Sequence, residues 1–411
     1  MLHRVRLDGY ATFGELIAWI IGWDLVLEFS LAAAVVAKGW SQYLAEVIGL
    51  TGLNLSTTFP VGALTVDWGA AALVAALTTL LALGTKLSSR VSQVITAIKV
   101  AVVLLVIVVG LGYVSAENYT PFIPPAAGGS KAASGLDQSL LSLLLGGETS
   151  TYGLFGLFAG AAIVFFAFIG FDIIATTAEE TRNPQRDMPR GILGALAIVT
   201  LLYVGVALVL TGMQPYTALA TTDEGAATLA TAFAAVGVDW AAAVISIGAL
   251  AGLTTVVMVL LLGQTRVLLA MSRDGLIPRG LSATGSRGTP VRITVGVGVP
   301  VAIAAATVEF GTLAELVNVG TLFAFVLVSL GIIVLRRTRP ELPRAFRVPL
   351  VPWLPIAAVL ACLWLMLNLT AFTWLRFLGW MVLGLAVYVA YGARKSRLRA
   401  RHPSAADEQV R

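Results

Sequence analysis

The sequence predicts an all-α integral membrane protein, a bundle of about ten transmembrane helices. Charge is the first reason: Asp, Glu, Lys and Arg make up only 12% of the 411 residues, about half the roughly 25% of a soluble domain. Apolar content is the second, at 58% with a mean hydropathy of +0.90. The third is pattern. Apolar runs of helix-spanning length carry scattered Gly and Pro, where a β-barrel would show short alternating segments.

A hydrocarbon core about 30 Å thick asks for roughly 20 apolar residues per helix. Ten runs meet that demand, at 14–38, 68–84, 94–114, 156–180, 190–213, 240–264, 291–308, 313–335, 352–370 and 374–393. The first contains Glu15, Asp24 and Glu28 and is too long for a cleaved signal peptide. Basic residues orient the set. With a cytoplasmic N-terminus, 23 of the 27 Lys and Arg fall in cytoplasmic segments; Lys38, Lys131 and Arg376 fall outside, and Lys99 lies within a span. That asymmetry obeys the positive-inside rule and places both termini in the cytoplasm, with the plasma membrane as the expected location. The external loop 115–155 is rich in Gly, Ser and Pro, with an amphipathic stretch at Leu136–Leu145. Loop 214–239 lacks Lys and Arg and reads as Ala-rich segments along the membrane surface. The tail from Arg394 is basic, then polar, and reads as disordered.

Composition also excludes functions. The two histidines, His3 and His402, sit at the chain ends, so no haem site, histidine relay or His-containing catalytic triad can be built in the bundle. The one cysteine, Cys362, excludes an internal disulfide and a thiolate zinc site. No Gly-rich loop with Lys-Ser/Thr suggests a nucleotide-driven pump. The net charge of +5 resides in short loops and the tail, as membrane orientation demands, and does not point to nucleic acid. No metal, cofactor or enzymatic activity is expected; the expected partner is the lipid bilayer.

A few residues break the apolar pattern. Asp24 and Glu28, four apart, share one face of the first span. A carboxylate at the bilayer centre costs about 2.5–3.5 kcal/mol on the insertion scale and marks function by default. The bland alternative is a structural acid capped by Trp23, a hydroxyl or Lys99. Lys99 is the one basic residue well within a span, and snorkelling could carry its ammonium to the interface. In the fourth run, Phe165-Phe166-Ala167-Phe168-Ile169-Gly170-Phe171-Asp172 puts a glycine and a carboxylate mid-membrane. That pairing reads either as a discontinuous helix whose freed backbone lines a cavity or as a continuous helix with a packing glycine.

Four stretches carry a resemblance. Thr181-Arg182-Asn183-Pro184-Gln185-Arg186-Asp187-Met188-Pro189 follows the Phe-Ile-Gly-Phe-Asp helix and Ala178-Glu179-Glu180. Tyr10–Glu15 runs on to Gly22-Trp23-Asp24-Leu25-Val26-Leu27-Glu28. Gly263-Gln264-Thr265-Arg266 precedes Ala270–Gly275, and Asn318-Val319-Gly320-Thr321-Leu322 precedes Arg344–Pro349. In this order, and over essentially the whole chain, they resemble the amino acid–polyamine–organocation (APC) superfamily, in its bacterial cationic amino acid transporter branch.

The resemblance implies a LeuT-like inverted-repeat bundle in one transmembrane domain, 1–393. Residues 1–114 would be the remainder of a first repeat, 156–335 a second repeat, 352–393 two additional helices and 394–411 a cytoplasmic tail. Twelve helices are usual in that family; seven spans from 156 onward match its second half, and three precede them. The chain is therefore expected to lack the first two helices, whose break would hold the substrate carboxylate. The implied activity is secondary active, proton-coupled transport of cationic or small neutral amino acids by alternating access. The alternative is a transport-inactive remnant or membrane partner that binds amino acids without moving them.

Site residues follow from the same resemblance. Glu28, more than Asp24, would sense the positive end of a substrate. Carbonyls near Phe166, Ala167 and Ile169 would take its ammonium, with Phe166 as an aromatic gate and Asp172 pairing behind the site. Thr254, Thr255 and Met258 could line it, although hydroxyls bonding back along their own helix are equally compatible with the sequence. Asn318 and Phe323 carry over more weakly. Lys99 resembles the lysine that occupies the place of a sodium ion in sodium-coupled relatives, so its protonation would couple transport to H⁺.

Overall fold

The computed structural model describes residues 15–53, 55–62, 64–84, 89–125, 135–146, 152–170, 183–219, 228–283, 285, 289–341 and 346–393. Within them run ten helices of twelve or more residues: α1 Glu15–Leu50, α2 Trp68–Ala82, α3 Ser89–Gly110, α4 Gly153–Val164, α5 Pro184–Met213, α6 Asp239–Arg273, α7 Val291–Thr307, α8 Phe310–Thr338, α9 Trp353–Leu367 and α10 Ala371–Val387. Each falls on one of the ten apolar runs. Six are long and apolar enough to cross a membrane, while α2, α4, α7 and α9 are shorter.

Several boundaries differ from expectation: α4 stops at Val164 within the run 156–180, α5 begins at Pro184 and α6 continues to Arg273. The first span was read as ending at Lys38, yet α1 continues to Leu50. Hydropathy sees only the lipid-matched part of a helix, and the following turns remain good helix formers. Their polar side chains find partners: the Glu46 carboxylate accepts from Thr228 and Ser246, the latter at 2.6 Å. Beyond α1 lies a two-stranded antiparallel hairpin, β1 Thr58–Val61 and β2 Leu64–Asp67, which the sequence did not announce. Helices also occur at Leu140–Leu145 and Leu229–Ala235, within the loops 115–155 and 214–239.

Helix α1 is the axis of the bundle, packed against α2, α6, α7, α8 and α10. The largest apolar cluster joins α1, α2, α6 and α7, with Trp19, Phe29, Val74, Leu261 and Val301 at its centre. A second joins α3, α5 and the start of α6 around Val106, Phe233 and Ile245. The third joins α4, α8, α9 and α10 around Ala162, Leu322, Met366 and Phe377, with Leu27 reaching in from α1. At the far edge, Trp19 donates to the Gly384 carbonyl and Trp23 to that of Trp380, each at 3.0 Å, while their rings stack on one another. Gly384 lets α10 come this close, because any Cβ there would collide with the Trp23 indole. Gly384→Val is expected to cost about 1–3 kcal/mol by overpacking, read as a lower melting temperature of the detergent-solubilised protein.

Candidate functional site

The broken run is where the backbone becomes irregular. Helix α4 ends at Val164; a single 3₁₀ turn, Phe165–Phe168, follows; Ile169 is extended (φ −67°, ψ 138°) and Gly170 takes φ +124°. A side chain on residue 170 would be strained at that φ, so the glycine is a conformational requirement. The helix does not run unbroken through Gly170, and residues 171–182 beyond it lie outside the described residues. Asp172, Glu179 and Glu180 lie outside the described residues.

Two neighbours hold the interruption from opposite sides. On α8, the fully buried Asn318 amide donates to the carbonyls of Ala162 (2.9 Å) and Ile163 (3.1 Å). Both carbonyls belong to the last four of α4, and that of Ile163 also accepts from the capping Phe165 amide. On α5, the Tyr203 hydroxyl donates to the Ala167 carbonyl at 2.6 Å, and its ring meets Phe168 edge-on at 5.1 Å. The Phe166 carbonyl accepts from the Ile169 amide at 3.1 Å. Two of the three carbonyls expected to take an ammonium therefore already accept one bond each. A carbonyl oxygen has two lone pairs, so each retains capacity for a second donor. Phe166 and Ile169 pack on the main cluster, Phe165 and Phe323 on the third.

Two carboxylates of α1, Asp24 and Glu28, are fully buried. Asp24 lies against the backbone of α8, where a Cβ added to Gly320 would stand 3.0 Å from Asp24 Oδ1. Neither Asp24 oxygen has a hydrogen-bond partner among the described residues, and the Trp23 indole points instead to Trp380. Glu28 is equally buried, one turn on along α1. From the other side, Gln264 of α6 donates to the Val26 carbonyl at 3.3 Å and to Ser30 Oγ, tying α6 to α1.

Helix α6 supplies the remaining wall. Met258 is buried in the cluster that Phe166 and Ile169 also touch. The Thr254 and Thr255 hydroxyls donate back along their own helix, to Leu250 and Gly252 at 2.7 and 2.8 Å, which leaves only their acceptor lone pairs for a ligand. Lys99 crosses from α3 with its stem over Gly252, where a Cβ would meet Lys99 Cγ at 3.1 Å and Cε at 3.2 Å. Gly252 is one turn from Thr255, so the stem lies at the level of those hydroxyls.

The turn at Phe165–Gly170, the buried Asp24 and Glu28 and the Lys99 stem over Gly252 all lie within the stretch that one family pattern covers. The sequence pattern of an amino acid permease family matches residues 8–389. The chain belongs to that family. With its apolar helices it is a multi-pass membrane transporter of amino acids. Among its relatives, the branched-chain amino acid permease BcaP of Bacillus subtilis is 42% identical over 95% of this chain and 79% of its own length. The methylthioribose transporter of the same organism is 42% identical over the same shares. The vacuolar cationic amino acid transporter 2 of Arabidopsis thaliana is 38% identical over 81% of this chain and 49% of its own length.

Sequence reasoning passed over Tyr203. A signal was present: a lone Tyr in the apolar run Leu201-Leu202-Tyr203-Val204 carries a hydroxyl that must find an acceptor at membrane depth. Gly320 stands within the Asn318–Leu322 motif, and nothing in the sequence says that it faces Asp24.

Proposed function

We propose that this permease moves cationic or small neutral amino acids in symport with protons across the plasma membrane, by alternating access around the break at Phe165–Gly170. The observation that carries the reading is the backbone interruption itself, gripped by Asn318 and Tyr203 so that its polar groups are presented at a fixed place in the bundle. A substrate ammonium would be taken by the remaining lone pairs of the Phe166, Ala167 and Ile169 carbonyls, against Met258 and the Phe166 ring, with Asp172 paired behind the site. Thr254 and Thr255 would contribute acceptor oxygens. Both termini would be cytoplasmic, as the distribution of Lys and Arg implies.

The relatives' names span branched-chain amino acids, cationic amino acids and methylthioribose, so overall identity does not choose the side chain. The carboxylates of α1 distinguish the two substrate classes, because a cationic side chain gains from an acid that a neutral one does not need. In proteoliposomes of the full-length protein, unlabelled lysine or arginine is expected to compete with uptake of a labelled small neutral amino acid. Glu28→Gln is expected to weaken the cationic competitors by about 10-fold, the equivalent of 1.4 kcal/mol, and to leave neutral competitors nearly unchanged. Equal loss for both classes would remove Glu28 from side-chain sensing and leave it a scaffold acid. An absence of uptake for every amino acid, in protein shown to be folded, would argue against transport by the chain.

Proton coupling is assigned to Lys99. Its placement over Gly252 supports this, since the stem is held against α6 at the level of the proposed site rather than extended toward an interface.

A further inference from the structure

The hairpin between α1 and α2 carries an apolar face that the rest of the described bundle leaves largely uncovered. Its register pairs Phe59 with Val66 and Val61 with Leu64, which places four apolar side chains on one face. The other face carries Thr58 opposite Asp67 and Pro60 opposite Thr65. It is the polar end that turns inward. Asp67 is buried, caps α2 through the Ala70 amide (2.9 Å), accepts from Ser41 (2.6 Å) and pairs with Lys38 at 3.9 Å. The apolar face is left open: Phe59 is 45% exposed, Val61 52% and Leu64 56%. Leu50, Leu53 and Leu55 are exposed beside it, and no residue between Glu46 and Asp67 is ionisable.

We infer that this apolar face is seated in the lipid of the outer membrane boundary, so that the hairpin is an interfacial anchor of the bundle. Helix length points to lipid as the occupant. The 15 residues of α2 rise about 22 Å, short of a hydrocarbon core about 30 Å thick. Lys86, four residues beyond the end of α2, fixes the other end of the helix at the basic side of the membrane. The shortfall therefore lies at the Trp68 end, where the hairpin begins.

Surface continuity agrees. The exposed side of α2 is largely apolar, with Trp68 at the hairpin end, Ala72, Ala75 and Ala76 along it, and Leu80 near the other end. Trp68 has the form of an interfacial aromatic: its ring is partly exposed, while its indole N–H is held by the Ser56 carbonyl at 3.1 Å. The polar base formed by Lys38, Ser41, Thr57 and Asp67 fixes the hairpin's orientation, so the apolar face cannot simply roll inward.

The test uses the full chain with Cys362→Ala, reconstituted in phosphatidylcholine–phosphatidylglycerol vesicles. Nitroxide labels are attached at Phe59→Cys, Val61→Cys and Leu64→Cys in turn, with Leu80→Cys as the lipid-facing standard. Three positions guard against one variant failing to fold. Power saturation should show collisions with oxygen outweighing those with a water-soluble nickel chelate, in a ratio approaching that at residue 80. Dominant nickel collisions would mean that the face is in water. Labels shielded from both reagents would mean that a protein, a partner or a second copy, covers it. Either result overturns the inference.

Discussion

Full-length protein carrying Lys99→Met is expected to lose most of its uptake driven by an inward proton gradient, while retaining exchange of labelled for unlabelled amino acid across the same vesicles. Coupling free energies between sites are typically about 1–3 kcal/mol, so the driven rate should fall on the order of 5- to 150-fold. The change keeps a long apolar stem over Gly252 and removes only the titrating ammonium, so packing against α6 survives. The sign of the pH effect is part of the expectation. Wild-type uptake should rise as the outside is acidified, and the variant's should be flat. Gradient-driven uptake persisting in Lys99→Met would sever the lysine from proton coupling. Parallel loss of driven uptake and exchange would make it structural.

Asn318→Ala is expected to have the second large effect, and to damage exchange as much as driven uptake. The buried amide donates to two carbonyls at the C-terminal end of α4, that of the fully buried Ala162 and that of the more exposed Ile163. An interhelical hydrogen bond in a membrane protein averages only about 0.6 kcal/mol, because the competing state also finds partners. A buried carbonyl left unpaired can cost about 1–3 kcal/mol; here the buried Ala162 carbonyl loses the Asn318 amide, while that of Ile163 keeps the Phe165 amide as a donor. The larger figure should apply at Ala162, whose carbonyl is among the last four of α4. A melting temperature lowered in detergent, with exchange reduced at least as strongly as stability, is the expected pair of readings. Loss of stability with exchange intact would mean that Asn318 braces the fold without setting the geometry of the break.

What could be read from the sequence follows what each signal measures. Ten apolar runs became ten helices because hydropathy reports the demand of the bilayer core directly. The continuation of α1 past Lys38 was invisible to it, since Trp40–Leu50 is helical for reasons of propensity and of the Glu46 contacts, which hydropathy does not score. The hairpin escaped because its strands are four residues each and its apolar face lies outward, so neither length nor the usual inward pattern marks it.

At the site, Gly170 beside an acid disclosed the interruption, since both residue types are costly in a continuous membrane helix. The grip on it was only half legible. Asn318 stood in a recognisable motif, whereas the bond from Tyr203 depends on where α5 returns along α4, which no local pattern states. The donor capacity of Thr254 and Thr255 was left open by the sequence and is used along their own helix.

The central claim is that the backbone around Ala167 forms the amino acid site, and it can be tested at that residue. Ala167 has an exposed side chain, and its carbonyl, not its methyl, is what Tyr203 holds. With Cys362→Ala removing the native thiol, Ala167→Cys in reconstituted full-length protein should react with a small water-soluble methanethiosulfonate reagent. A saturating concentration of a transported amino acid should slow that reaction by about 10-fold or more, as occupancy of the same space by ligand requires. A thiol at 167 that reacts at the same rate with and without every amino acid tested, in protein that still exchanges them, would place the substrate elsewhere in the bundle.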